Sequence, residues 1–260
     1  MIDIHSHILP GVDDGADDYE QSLKMVAEAY QQGITGIVAT PHFRGRDQKR
    51  ELIKTRLQKL QTKVEAAGLP VDIFPGAEIT IRSDLAHRLS QDKLIFLNQG
   101  SYLLLELPFD RIPDYTEDLF YDLGVMDCRI IIAHPERCQP ILENPELLLS
   151  LLDKDGVFAQ LNVGSLVGKN GAPIKRLAEE LVRRNMVHFL ATDSHSAKPN
   201  RCVFQQAEKI LKELGSDYGS QFRENARRVI ENKPLDAAQP RVEKKKGWWS
   251  RFKNKLLKER

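Results

Sequence analysis

The chain has 260 residues, 41% of them hydrophobic and 29% charged, a balance that suits one large globular domain or two small ones with a sizeable core. No run approaches the roughly 20 apolar residues that a membrane-spanning helix needs, and Met1–His5 shows neither a basic leader nor a cleavage pattern, so a cytoplasmic protein is expected. The net charge of +1 conceals an asymmetry: Arg241 to Arg260 contains nine Lys or Arg and two Glu, a local +7 that leaves −6 for residues 1–240.

Short apolar runs alternate with longer amphipathic ones. Met1–His5 reads as a strand and Tyr19–Gln32 as a helix, with Leu23, Val26, Ala27 and Tyr30 on one stripe and Gly33 stopping it. Ile34–Thr40 reads as a strand. Asp47–Ala67 reads as a charged helix with Leu52, Ile53, Leu57, Leu60 and Val64 inward. Strands follow at Val71–Ala77 and Tyr102–Leu107, then a helix at Tyr115–Leu123. The strand Arg129–Ala133 precedes the helix Glu143–Leu152, and the strand Val157–Val163 precedes the helix Ile174–Arg184. The strand Val187–Thr192 leads to helices at Cys202–Leu214 and Tyr218–Glu231. Strands alternating with helices imply parallel pairing and crossovers of one hand. Seven such units favour a closed α/β barrel over an open sheet. The barrel is expected to cover residues 1–235, with residues 236–260 as a basic, Trp-containing tail.

The chemistry-bearing residues stand where strands end. Asp3-Ile4-His5-Ser6-His7 ends the first strand, Thr40-Pro41-His42 the second, Gly76-Ala77-Glu78 the third and Glu106 the fourth; His134-Pro135-Glu136-Arg137 follows the fifth and Asp193-Ser194-His195 the seventh. In αβ barrels the C-terminal strand ends converge on one mouth, where active sites sit. Alternate residues of an extended chain face the same way. His5 and His7 can therefore grip one cation, as can Asp193 and His195, and a carboxylate such as Glu78 can bridge two. Mixed imidazole and carboxylate shells suit Zn, Mn or Fe. His87 sits in a polar helical stretch and His188 within a strand, and neither belongs to a motif.

Three cysteines, Cys128, Cys138 and Cys202, form no disulfide framework and read as reduced structural thiols. A cysteine-type phosphatase needs an Arg six positions after its thiolate. His134, Asn144 and Glu208 stand there instead, so that chemistry is absent.

The motifs His5-x-His7, Thr40-Pro41-His42, Glu78, His134 and Asp193-x-His195 resemble, in order, those of the PHP family, named for polymerase and histidinol phosphatase. The resemblance spans about residues 1–235 and implies a distorted TIM-like (βα)7 barrel of PHP type holding up to three metal ions. The opening Asp3-Ile4-His5-Ser6-His7-Ile8-Leu9-Pro10-Gly11-Val12-Asp13-Asp14-Gly15 is similar to the bacterial capsule and exopolysaccharide type of metal-dependent protein-tyrosine phosphatase. So are Leu105-Glu106-Leu107-Pro108 and Ala133-His134-Pro135-Glu136-Arg137. That resemblance implies His5, His7, Asp14, His42, Glu78, Glu106, His134, Asp193 and His195 as metal ligands, with Arg137 and Arg201 holding phosphate. It further implies two or three divalent ions, manganese first and Fe, Co, Zn or Mg as alternatives. The implied substrate is a phosphotyrosine protein, an autophosphorylated bacterial tyrosine kinase controlling capsular or exopolysaccharide synthesis. Asp13 is kept as an orienting alternative to Asp14, and Glu136 is expected to orient Arg137 or a ligand. Asp193-Ser194-His195-Ser196 departs from the frequent Asp-Ala-His-Asn, but its ligands survive.

A cation cluster would lower the pKa of bound water and neutralise phosphoryl charge, so attack by metal-bound hydroxide is expected. Guanidinium forks at Arg137 and Arg201 match phosphate geometry. A tyrosine leaving group, with a pKa near 10, needs little protonation help, and His42 or a water could supply it. The runner-up is a small-molecule phosphomonoesterase of histidinol-phosphatase type. The −6 charge of residues 1–240 argues against a nuclease and any specific nucleic-acid partner. A structural barrel that only scaffolds a partner would have no use for a full ligand set. Residues 241–260 read equally as a solvated tail or as a basic aromatic segment, with Trp248, Trp249 and Phe252, that touches an anionic membrane surface or a partner. Docking would place the protein at the inner face of the cell membrane. No oligomeric state is assigned.

Overall fold

Nine short parallel strand segments build the centre of the molecule in a computed structural model that describes residues 1–43, 47–197, 203–215, 217–236 and 240–241. They are β1 Ile2–Ser6, β2 Gly36–Ala39, β3 His42–Phe43, β4 Asp72–Pro75, β5 Glu78–Thr80, β6 Tyr102–Glu106, β7 Arg129–Ala133, β8 Val157–Asn162 and β9 Phe189–Ala191. β1 pairs with β2 and β2 with β4. A second sheet runs β3-β5-β6-β7-β8-β9. The two sheets share their strands. β2 and β3 are halves of one run interrupted at Thr40-Pro41, where proline has no N–H to give the ladder. β4 and β5 are halves of another, interrupted at Gly76-Ala77. A Cβ at Gly76 would lie 2.6 Å from Val38 Cγ1, so only glycine lets the bend pack this closely.

The ring closes where the chain leaves β9 and meets β1. Asp193 N–H donates to His5 O and His7 N–H to Ser194 O, both at 2.9 Å, and Ser6 bridges Ser194. The expected seven-unit barrel is thus present as seven runs, two of them bent. Side chains sort by alternation along each strand. Tyr102, Leu104, Ile131, Ala133, Phe189 and Ala191 form an inner cluster with Ile4 and Val38. Leu103, Leu105, Ile130 and Ile132 face the surrounding helices. Ala226 and Val229 of the helix Tyr218–Ile230 join the inner cluster.

Several helices differ from expectation for physical reasons. The expected helix Glu143–Leu152 is two, Gln139–Glu143 and Glu146–Leu152, because the residue before Pro145 is pushed out of helical geometry and Asn144 is extended. Tyr19–Gln31 buries Ser22, Met25, Val26 and Ala29, and leaves Tyr30 exposed; the inward stripe is turned from the one expected. In the helix Asp47–Ala66, Ile53, Leu60 and Val64 are buried while Leu52 faces solvent. The polar helical stretch around His87 is the helix Leu85–Ser90, and the short helix Val163–Leu166 follows β8 where the strand was expected to end. The helix Phe204–Leu214 begins just beyond a stretch, residues 198–202, that lies outside the described residues together with the expected phosphate ligand Arg201. Residues 242–260 of the basic tail lie outside them as well. Tyr102 Oη donates to Lys233 O at 2.6 Å just before the expected boundary, and one contact lies past it, Arg241 N–H donating to Arg184 O at 2.7 Å. Among the described residues, no helix is long and apolar enough to cross a membrane.

Candidate metal centre

All nine expected ligands meet at the C-terminal mouth of the barrel. They fall into four overlapping groups: His7, Asp14, His42 and His195; His5, His7 and Asp193; His5, Glu78 and His134; His42, Glu78 and Glu106. Within each group the candidate ligand atoms lie within 4.8 Å of one another. His5 Nε2 is 3.4 Å from Asp193 Oδ1 and 3.5 Å from Glu78 Oε1. His7 Nε2 is 3.4 Å from both Asp193 Oδ1 and Glu78 Oε2. Donor atoms about 2.1 Å from one ion are themselves roughly 3.0–3.4 Å apart. The inner groups already have that spacing.

A local irregularity aims His5. Ile4 faces the inner cluster, so strict alternation would turn His5 toward the helices. The register shifts between Asp3 and Ser6, and His5 meets Gln160, on the inward face of β8. Bulges often re-aim side chains next to active sites. Asp3, fully buried, pins the turn by accepting from His5 N–H and from both the N–H and the hydroxyl of Thr192. The next loop is drawn back over His7. Ala16 N–H donates to His7 O at 3.0 Å, and a Cβ on Gly15 would fall 2.1 Å from that oxygen. His134 (φ 30°) and Asp193 (φ 50°) occupy left-handed backbone, a conformation costing about 1–3 kcal/mol for such residues and concentrated at functional sites.

Neighbours fix the tautomers. His5 Nδ1–H donates to Gln160 Oε1 at 2.9 Å and His7 Nδ1–H to Asp13 Oδ2 at 2.7 Å. Both Nε2 lone pairs then point inward, 3.2 Å apart. Two facing lone pairs repel unless a cation or proton lies between them. Glu78 Oε2 makes no hydrogen bond although His42 Nδ1 is 2.8 Å away. His5, His7 and Glu78 are fully buried, an arrangement that is costly without charge compensation. The chemistry of the donor set therefore fits divalent ions.

Electrostatics agree. Burial opposes protonation of His5, but the Glu78 and Asp193 carboxylates outweigh it and lift its pKa to about 9. His7 is also raised well above the usual imidazole range, against burial, by Asp13, Asp193 and Glu78. Burial pushes Glu78 and Asp193 up, yet the imidazoles hold both carboxyls well below the ordinary range. Protons on the histidines balance the carboxylates as ions would. His195 is lowered by burial and by His7, whose ring stacks on it at 3.8 Å. Burial and Glu78 raise Glu106.

The mouth also contains residues not anticipated. Gln160 Nε2 donates to Asn162 Oδ1, and Asn162 Nδ2 donates to Asp193 Oδ2, each at 2.8 Å. These two amides connect His5 to Asp193. Asp13 orients His7 and accepts from His42 N–H. Glu136 is fully buried and accepts from Asn162 N–H; it braces β8 and not Arg137. Arg137 donates to Asp193 Oδ2 at 2.9 Å. Phe109, which follows β6, lies beneath the Arg137 guanidinium. His87 is away from the mouth, bonded to Gln91. His188 is buried behind the sheet, its Nδ1 accepting from Ala159 N–H. Burial pushes the Cys128 thiol up to about 12 and raises Cys138, which suits inert structural thiols.

Comparison with known proteins gives consistent findings. Residues 1–231 match the family described as "Capsular polysaccharide synthesis, CpsB/CapC". The chain is 39% identical over 249 residues to the tyrosine-protein phosphatase YwqE of Bacillus subtilis, covering 95% of this chain and 98% of that protein. It is 29% identical over 240 residues to the tyrosine-protein phosphatase CpsB of Streptococcus pneumoniae, covering 88% and 98% respectively. A solved chain from the crystal structures of YwqE from B. subtilis and CpsB from S. pneumoniae, described as unique metal-dependent tyrosine phosphatases, superposes with a TM-score of 0.88 at 38% identity, covering 94% of this chain and 100% of that one. Histidinol phosphate phosphatase from Lactococcus lactis, solved with zinc, L-histidinol and phosphate, shares the fold at a TM-score of 0.54 and 17% identity, over 83% of this chain and 95% of that one.

Proposed function

The chain belongs to the CpsB/CapC family of capsular polysaccharide synthesis, and from that membership and the geometry of its mouth we infer that it is a metal-dependent protein-tyrosine phosphatase. The observation that carries the reading is the gathering of nine His, Asp and Glu side chains into ion-sized groups, with Arg137 held on their rim through Asp193. His5, His7, Asp14, His42, Glu78, Glu106, His134, Asp193 and His195 are assigned as ligands of two or three divalent ions. Mixed imidazole and carboxylate donors suit zinc, manganese or iron; the family likeness puts manganese first, with iron, cobalt, zinc and magnesium as alternatives.

Bound ions supply Lewis acidity: they acidify water and neutralise charge on phosphoryl oxygens. The chain's own residues do the rest. Gln160 and Asp13 hold the His5 and His7 rings so that each Nε2 would be free to bind an ion. Asp193 would offer Oδ1 to an ion while its Oδ2 accepts from Arg137 and Asn162, tying the proposed phosphate-binding fork to the ligand cluster. Arg137 binds equatorial phosphoryl oxygens by its two-pronged donor geometry. Arg201 is proposed as a second fork. His42 presents Nδ1 to Glu78 and Nε2 to Asp14. Either nitrogen would be placed to hold an ion, and a tyrosine leaving group needs little of the protonation that His42 or a water would supply.

The substrate we propose is an autophosphorylated bacterial tyrosine kinase of capsule or exopolysaccharide synthesis, met in the cytoplasm at the inner face of the membrane. The +7 charge of residues 241–260 supports contact with an anionic surface. Turnover of a phosphotyrosine peptide with manganese, compared between wild type and Arg137→Ala at equal metal content, tests the mechanism. A loss of about 100-fold or more in kcat/KM is expected, the scale of a lost electrostatic stabiliser. Unimpaired turnover removes Arg137 from the mechanism, and preference for histidinol phosphate over the peptide replaces the substrate class.

A further inference from the structure

Phe109 is the aromatic side chain that the ligand assignment leaves without a task. It is 45% exposed, beside a metal centre whose core is fully buried. Single exposed aromatics are ordinary on protein surfaces, so exposure alone means little. The placement of Phe109 is more specific. Its ring centroid is 5.7 Å from that of the assigned ligand His134, tilted by 49°. Arg137, the assigned phosphate fork, lies over it with Cζ 4.5 Å from the centroid. Its backbone is fixed, since Phe109 O accepts Gln139 N–H at 2.7 Å, two residues beyond Arg137. Leu107, buried, anchors the loop on the side of β6. The ring is therefore built into the rim and not left on a free loop.

A phosphoryl group held between the ions and Arg137 must send its ester substituent outward past this rim. Aromatic pairs settle with centroids about 4.5–7 Å apart, so a phenol ring leaving the centre beside His134 falls within stacking range of Phe109. We propose that Phe109 is a specificity-determining residue that packs against the phenol ring of phosphotyrosine, favouring aryl over alkyl phosphomonoesters. The proposal rests on the phosphatase reading above. It deepens that reading by saying how the mouth separates phosphotyrosine from phosphoserine. Arg137 then acts on both ends of the substrate: it binds the phosphoryl oxygens and covers part of the platform on which the ring rests.

The test compares Phe109→Ala, Phe109→Leu and Phe109→Tyr with wild type, all loaded with manganese. Turnover of a phosphotyrosine peptide is measured alongside inhibition by inorganic phosphate, which has no ring. Loss of one aromatic contact should raise KM for the peptide about 10-fold in the Ala variant. The Leu variant should recover part of this and the Tyr variant most of it, with kcat and the phosphate inhibition constant within about 2-fold of wild type. Equal weakening of peptide and inorganic phosphate would mean that Phe109 only positions Arg137, and would overturn the proposal. So would an Ala variant with unchanged KM. A manganese-loaded wild type that binds phosphate but leaves phosphotyrosine peptides intact defeats the phosphatase reading itself, a separate and recognisable result.

Discussion

Gln160 shows how much of this centre depends on residues that touch no ion. Its Oε1 accepts from His5 Nδ1, its Nε2 reaches Asn162, and Asn162 holds the second oxygen of Asp193. One buried amide pair thus sets the tautomer of one assigned ligand and the orientation of another. The candidate ligands at strand ends are conspicuous in the sequence as imidazoles and carboxylates that follow successive apolar runs. The amides of β8 are not, because Gln and Asn in an apolar run carry no spacing signature. Replacing Gln160 with Leu keeps the volume but removes the hydrogen bonds. Manganese affinity should fall about 10–100-fold, as for other residues that orient metal-bound imidazoles, with circular dichroism unchanged. Unaltered affinity in a direct metal titration would show that His5 keeps its orientation without this partner.

At the scale of elements, the strands were legible and their interruptions were not. Apolar runs marked all seven strands. The breaks at Thr40-Pro41 and Gly76-Ala77 depend on contacts such as Gly76 against Val38, and those exist only once the sheet is rolled. The seam between β8 and β9 has its own titratable group. His188 is buried, accepts from Ala159 N–H, and through its carbonyl oxygen accepts from Asn225 Nδ2. Burial lowers its pKa from 6.5 to about 4. Above pH 6.5 both the folded and unfolded chains hold it neutral and its contribution is complete. As pH falls toward 4 the unfolded chain takes up a proton that the folded chain resists, so stability drops. Between pH 7 and pH 5 this group should cost about 2 kcal/mol. Urea unfolding of wild type and His188→Asn at both pH values isolates it. The variant should lose that much less stability on acidification, and parallel pH slopes would sink the assignment.

For the whole molecule, closure of the barrel and assembly of the candidate metal centre use the same residues. The chain meets itself at His5–His7 and Asp193–Ser194, and the residues that close the ring are the assigned ligands. Ions that bind only the closed barrel must stabilise it. Removing metal with a chelator should lower the melting temperature, and free manganese at 100 times its dissociation constant should restore about 2.7 kcal/mol for each ion bound. Protons compete for the same nitrogens. Because the His5 pKa is raised to about 9 in the metal-free protein, ion binding displaces protons, and the metal-induced shift in melting temperature should grow from pH 6 to pH 8. A shift independent of pH would mean that the raised imidazoles are not the ligands.

The sequence by itself determined the strand and helix alternation, the barrel class and the candidate ligands at strand ends, because hydrophobic periodicity and side-chain chemistry are local properties. Only the tertiary structure decided that His5 turns inward at a register shift, that Asp13 orients His7 while Asp14 lies 3.5 Å from His42 Nε2, and that Arg137 lies between Asp193 and Phe109. Most of those outcomes depend on contacts between segments distant in sequence, such as His5 with Gln160 and Arg137 with Asp193, and such contacts are fixed only when the ring of strands closes.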